Sequence, residues 1–192
     1  MMVGASSQPR GGAVPDAALA TSETTSAAFG LAVRWVVDVA EGGSKLVTDQ
    51  GGLTRYGISQ RAYPGEDIAN LSRTRAEALY FRDYWAPIQG DALPGALALV
   101  VFDGAVNHGP VRSVQLLQQC LGVTADGIMG PETLHEARRA PVSELVPRYL
   151  VARLQAYAGL ARAWPELHGA SLYGWQCRVL RLALEAGTWR AA

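Results

Sequence analysis

The chain has 192 residues, 49 % apolar and 18 % charged, with seventeen basic residues against seventeen acidic ones and so no formal net charge. That balance excludes a domain held to nucleic acid by bulk charge, and it excludes a disordered polyelectrolyte. A chain of this length forms one compact domain or two small ones, with core enough to need no disulfide staples.

Cys120 and Cys177 each lie in an apolar, helix-like segment and read as free thiols rather than a disulfide framework. Three histidines without CxxC or HExxH spacing imply no metal and no cofactor. No apolar run approaches the roughly 18 residues of a membrane span. The first residues lack the apolar stretch of a secretory signal, so synthesis in the cytoplasm without a signal peptide is expected.

Residues 1–26, rich in Gly, Ala, Ser, Thr and Pro, read as a flexible tail. From Ala27, the spacing of Phe29, Val33, Val36, Val37 and Ala40 predicts an amphipathic helix, ended by Gly42 and Gly43. The Gly-rich stretch to Gly57 fits either a small hairpin or an ordered loop. Ser72 is placed to cap a helix reaching Trp85, with Ala76, Leu79, Tyr80 and Tyr84 on one face and Pro87 beyond. Pro94-Gly95 opens the next helix, apolar at every position from Ala96 to Val101, which marks it as central and buried; it ends at His108-Gly109-Pro110. Further helices are expected at Val111–Leu121, from Pro131, over Ser143–Leu160 with Pro147 near the first turn, and over Ser171–Ala186 closed by Gly187. The fold class is mainly α, with at most a small β or loop element after the first helix.

The densest cluster of unusual residues is EGGSKLVTDQGGLTRYGIS, Glu41 to Ser59. Its glycines imply positive φ or a close approach of backbone. Glu41 stands at the negative end of a helix beside an apolar stripe, an environment that disfavours ionisation and suits a general acid. Asp49, in a polar loop, should stay ionised. Two carboxyls in contrasting environments suit glycosidic cleavage: one protonates the leaving oxygen, and the other, with the Thr54 hydroxyl, orients a water. The same residues also fit a capped helix followed by a plain turn.

EGG at Glu41–Gly43, GG-x-T-x-YGIS at Gly51–Ser59, RDYW at Arg82–Trp85 and FDGAVNHG at Phe102–Gly109 occur in an order that resembles glycoside hydrolase family 108. These are lysozyme-like N-acetylmuramidases of phage and bacteria, and the resemblance runs from about Ala27 to Ala186. It implies a lysozyme-like helical globule, with Glu41 as catalytic acid. The Glu–Asp–Thr order also resembles phage-type lysozymes, which implies that Asp49 and Thr54 hold the attacking water. Ser44 and Gln50 depart from the family pattern, which has an apolar residue and Pro there. After residue 110 the chain resembles the peptidoglycan-binding half that accompanies the family, most clearly in DGIMGPET, Asp126 to Thr133, which suits a loop–helix corner or a glycan contact equally. The resemblance therefore implies a catalytic region over 27–110, with a helical wall-binding region over 111–190 packed against it.

The expected activity is hydrolysis of the β-1,4 bond between N-acetylmuramic acid and N-acetylglucosamine, with inversion, by a monomeric phage endolysin released through a holin and acting on the wall. Bacterial peptidoglycan is the partner, with no nucleic acid and no membrane span. The alternatives are a lytic transglycosylase on the same bond, a non-catalytic wall-binding module, and a chitinase-like activity. Tyr56 and Asn107 are candidate sugar contacts. Trp85 suits either the cleft or the core, His108 reads as a helix-end cap, Trp164, Trp175 and Trp189 as packing residues, and Arg138–Arg139 as a solvated helix end.

Charge is unevenly distributed. Residues 1–110 hold eight cations and eleven anions, residues 111–192 nine cations and six anions, and every cation of the second set is Arg. The basic half is expected to be drawn to an anionic wall, with activity that weakens as salt rises.

Overall fold

The structure, a computed structural model, describes residues 26–49 and 51–189, without the side chain of Asp49. Apart from Ser26, the N-terminal segment read as a tail lies outside the described residues. The observed architecture is mainly α, with a small antiparallel sheet after the first helix, as the sequence pattern predicts.

Helix α1, Ala27–Arg34, starts at Ser26, whose hydroxyl accepts from the Phe29 N–H at 3.1 Å. It continues without a break into a π-helical segment, Trp35–Ala40. The wider turn carries three consecutive apolar residues, Trp35, Val36 and Val37, to the interior. The sheet follows: β1, Val47–Asp49; β2, Gly52–Arg55; and β3, Ile58–Ser59, paired antiparallel in that order. Arg55 opposes Ile58, so Tyr56 and Gly57 form a two-residue turn. Both have positive φ, 53° and 77°, as a type I′ turn demands.

Helix α2, Arg73–Tyr80, is capped by Ser72 and likewise passes into a π-helical segment, Phe81–Trp85. It buries Ala76, Leu79 and Tyr80, and the π turn adds Tyr84 and Trp85. Trp85 is therefore core: its ring meets Phe29 and Phe102 edge-on, with centroids 5.4 and 5.3 Å away. Helix α3, Gly95–His108, is the hydrophobic axis, with every residue from Leu97 to Val106 buried.

Gly109, at φ 86°, redirects the chain into α4, Pro110–Leu121, and three more helices follow: α5, Pro131–Arg139; α6, Val142–Ala163; and α7, Pro165–Thr188. The last begins six residues before the expected Ser171. Pro165 supplies the first helical position, while Gly169 and Gly174 obscure the pattern that packing against α6 sustains. Trp164 sits at the tip of this hairpin and is half exposed rather than packed, whereas Trp175 is buried. Cys120 and Cys177 are both free thiols.

The DGIMGPET corner is an internal joint. The buried Gln118 amide donates to Asp126 Oδ1, the Ile128 carbonyl and Thr133 Oγ1 at 2.7, 3.0 and 3.1 Å, and accepts from the Gly127 N–H. Gln118 thus holds the corner from inside, while Asp126, Ile128 and Glu132 remain exposed.

The two halves meet along α3. A Cβ at Gly104 would run into the Tyr149 hydroxyl and lie 2.8 Å from Ser113 Oγ. The missing side chain lets α4 and α6 close on α3. Ser113 donates to the Val101 carbonyl at 2.7 Å, leaving Tyr149 to donate to Ser113 at 2.6 Å. Beside this joint lies Asp103, fully buried in the apolar helix. Arg153 of α6 donates to one of its oxygens at 2.8 Å, and Arg178 of α7 donates to the other at 2.9 Å.

This pairing revises the charge split. Two of the nine cations beyond residue 110 are buried against anions of the first half, leaving seven against six. The outward field of that half is small, and the salt sensitivity argued from it shrinks accordingly.

Burial pushes the Asp103 carboxyl up, but the Arg178 and Arg153 guanidiniums outweigh burial and hold it below the ordinary value. A carboxyl depressed on folding adds stability that is complete above about pH 3.9 and disappears as pH falls through the folded value. Asp103→Asn leaves the fully buried Arg153 without its counter-charge and Arg178 with Glu41 alone. It should lower unfolding free energy by about 3–5 kcal/mol and flatten the acid limb of stability against pH. Urea denaturation across the acid range measures both; a loss under about 1 kcal/mol would show that the pair matters little.

Candidate active site

Glu41 closes the π-helical segment of the first helix. Its N–H donates to the Val36 carbonyl at 2.9 Å, the five-residue span of a π turn. Gly42 and Gly43 follow with φ of 78° and 74°, and the Gly43 N–H returns to the Val37 carbonyl at 2.8 Å. Two successive left-handed residues turn the chain sharply away, which accounts for the glycine pair after the carboxylate. The Glu41 side chain keeps 9 % of its surface exposed.

The sequence places Glu41 against an apolar stripe, whereas the structure sets a cation against it. Nη1 of Arg178 donates to Oε1 at 2.5 Å. The same guanidinium donates through Nε to Asp103, has Nη2 2.7 Å from the same oxygen, and stands 6.0 Å from the centre of the Trp35 ring. Glu41, Arg178, Asp103 and Arg153 thus form an alternating row of charges from the surface into the core. Periodicity shows Arg178 as a helical position 137 residues from Glu41 and carries no sign of their contact.

Tyr80 forms the wall behind Glu41. It is fully buried, and its phenol is held well above its ordinary value, first by burial and then by the negative field of Glu41. It stays protonated and donates to the Tyr56 carbonyl at 2.9 Å. That bond secures Tyr56, a non-glycine residue in the left-handed region, which costs about 1–3 kcal/mol of local strain. The next residue, Gly57, lies so close that a Cβ would be 2.7 Å from Cγ of Glu41 and 2.5 Å from the Tyr80 oxygen. The β2–β3 turn is thereby pressed directly on Glu41.

Thr54 sits in the middle of β2, opposite Val47 and Ser59, and is buried; its hydroxyl reaches the Gly52 carbonyl at 3.4 Å. Asp49 ends β1 opposite Gly52, and its side chain lies outside the described part of the structure. The two residues lie on paired strands, Asp49 opposite Gly52 and Thr54 opposite Val47. The Tyr56 ring carries the Arg55 guanidinium at 5.4 Å. Asn107 accepts from the Tyr157 hydroxyl at 3.0 Å, and Tyr157 accepts from Arg153 at 3.1 Å, so Asn107 joins the far end of the row that begins at Glu41. His108 stacks on Tyr157, centroids 5.2 Å apart. Burial first, then the field of Arg153, depresses its pKa to about 3, and the ring is neutral.

Asp103, Arg153, Arg178 and Tyr80 are the site residues that sequence reasoning missed. One signal was present: a carboxylate in a helix apolar on all faces requires cations from elsewhere. Nothing local says which ones. Among the described residues no group of three His, Cys, Asp or Glu is placed to hold a metal ion, and no helix is long and apolar enough to cross a membrane.

The profile of the family described as Glycosyl hydrolase 108 matches residues 34–109, and that described as Predicted Peptidoglycan domain matches residues 112–180. Among solved structures the chain is similar to that of Brucella abortus SagA, at 30 % sequence identity and a TM-score of 0.68, with 82 % of this chain and 92 % of that one covered. No curated protein matches the chain. The two profiles in tandem are those of a glycosidase acting on peptidoglycan. With the relative spanned over nearly its whole length and the Glu41 segment inside the first profile, the chain belongs to the glycosyl hydrolase 108 family.

Proposed function

We propose that the chain is an N-acetylmuramidase, a lysozyme that hydrolyses the β-1,4 bond from N-acetylmuramic acid to N-acetylglucosamine, with Glu41 as the general acid. The observation that carries this reading is the arrangement around Glu41: a carboxylate fixed at the end of a π turn, pinned at Oε1, and covered by the β2–β3 turn. With Oε1 engaged by Arg178, the proton for delivery belongs on Oε2. Protonation of the glycosidic oxygen lets the C1–O bond break with its electrons passing to the leaving sugar. A water held by Asp49 and Thr54 then adds to C1 from the opposite face and loses its proton to Asp49, with inversion.

In this reading residues 27–110 carry the chemistry and residues 111–190 complete the cleft and face the wall. Tyr56 and Asn107 contact the sugar, the enzyme acts as a monomer, and it is a phage endolysin that reaches the wall through a holin. The endolysin assignment rests on family resemblance alone.

Glu41→Gln should reduce release of new reducing ends from peptidoglycan by at least about 10²-fold with the fold retained. Mass spectrometry of the wild-type digest should show reducing muramic acid ends; products lighter by one water would identify a transglycosylase instead. Near-wild-type clearing by the variant would remove Glu41 from the mechanism.

Gly57→Ala should lower kcat by about 10²-fold, because the added methyl must displace the Glu41 side chain by a sizeable fraction of an ångström. The φ of 77° adds strain of about 1 kcal/mol, visible as a small fall in Tm. Unchanged kcat would mean that the turn does not set the position of the acid.

A further inference from the structure

We infer that Arg178, supplied by the helical half that follows the catalytic segment, is the positioning residue for the acid Glu41, so that the second half completes the active site as well as facing the wall. This rests on the reading of Glu41 as general acid. Arg178 lies within residues 112–180, the segment matched as a peptidoglycan domain. Its Nη1 is the hydrogen-bond donor on Oε1 of Glu41, at 2.5 Å.

Two features separate this contact from an incidental ion pair. First, Arg178 is itself immobilised. Asp103 engages Nε at 2.9 Å and Nη2 at 2.7 Å, and the second oxygen of Asp103 is held by the fully buried Arg153. The guanidinium cannot follow Glu41; it fixes the point to which Glu41 must come. Second, the pair is shielded, with side-chain exposures of 12 % and 9 %, so the contact is ordered rather than a loose surface bridge. An acid held at one oxygen by a fixed donor presents the other oxygen in a single direction, the condition for efficient proton delivery.

The planar fork is essential to this arrangement. Two N–H groups point in two fixed directions at once, Nε toward Asp103 and Nη1 toward Glu41, with Nη2 adding ion-pair contact to Asp103 at 2.7 Å. A lysine ammonium supplies the same charge from a single point and cannot span both carboxylates with that geometry.

The test uses the full chain and soluble peptidoglycan glycan strands, with kcat and KM measured separately. Arg178→Lys keeps the buried charge balanced. It should fold with a Tm close to wild type yet lose about 10²-fold in kcat, with KM within about twofold. Arg178→Met should show the same split on a less stable protein. Tyr149→Phe is the structural control: it breaks a buried hydrogen bond across the same junction, away from Glu41. It should lower Tm while leaving kcat unchanged. Wild-type kcat in folded Arg178→Lys would overturn the inference, as would losses in Arg178→Met that match its unfolded fraction. Glu41→Gln, run alongside, separates the two readings: its continued activity would sink the assignment of the acid itself. Inactive Glu41→Gln beside fully active Arg178 variants would sink only the role of Arg178.

Discussion

Asp103 is a full negative charge placed in the most apolar helix of the molecule, with no exposure to water. An isolated carboxylate there would be several kcal/mol uphill, and only paired, hydrogen-bonded cations make the position tenable. They arrive from 50 and 75 residues further along, on α6 and α7. The constraint is strict, because both oxygens need donors and no side chain near in sequence supplies one. The α6–α7 hairpin must therefore lie over α3, and the halves before and after residue 110 share one buried electrostatic centre.

The same constraint shapes the catalytic end. Once Arg178 is drawn inward to Asp103, its Nη1 reaches Glu41. A residue recruited to neutralise the core thus becomes the ion-pair partner of Glu41. Glycine plays the complementary part. Gly104 lets the α4 and α6 side chains reach α3, and Gly57 lets the β2–β3 turn reach Glu41. At both places a single methyl group would separate elements that the chemistry needs in contact.

The π-helical segments ending α1 and α2 contribute a related device. Each interrupts the α pattern where the sequence becomes densely apolar, Trp35 to Val37 and Tyr84-Trp85, and turns additional large side chains inward. In the first helix this shift also sets the direction in which Glu41 leaves. Phe29, Trp85 and Phe102 meet edge-on in one aromatic cluster of the core.

Much of the fold was legible locally, because caps, helix-ending glycines and apolar spacing act within a few residues. Ser72 caps as its position implies, Gly95–His108 is the buried axis, and the Gly-rich segment after Glu41 is a small sheet. Glu41 and the glycines around it could be singled out for the same reason: a carboxylate before two left-handed residues is a local pattern. The row of charges could not, since burial is decided by how helices cross, and an Arg on a helix looks the same in sequence whether it faces water or a carboxylate. Sequence alone therefore determined most of the helices and the family, and it singled out Glu41 as the candidate acid. Tertiary structure alone decided that the acid meets a guanidinium instead of an apolar wall, and that the apparent charge of the second half is largely neutralised inside the molecule. Ion pairing depends on distances between elements, and those distances exist only once the chain has folded.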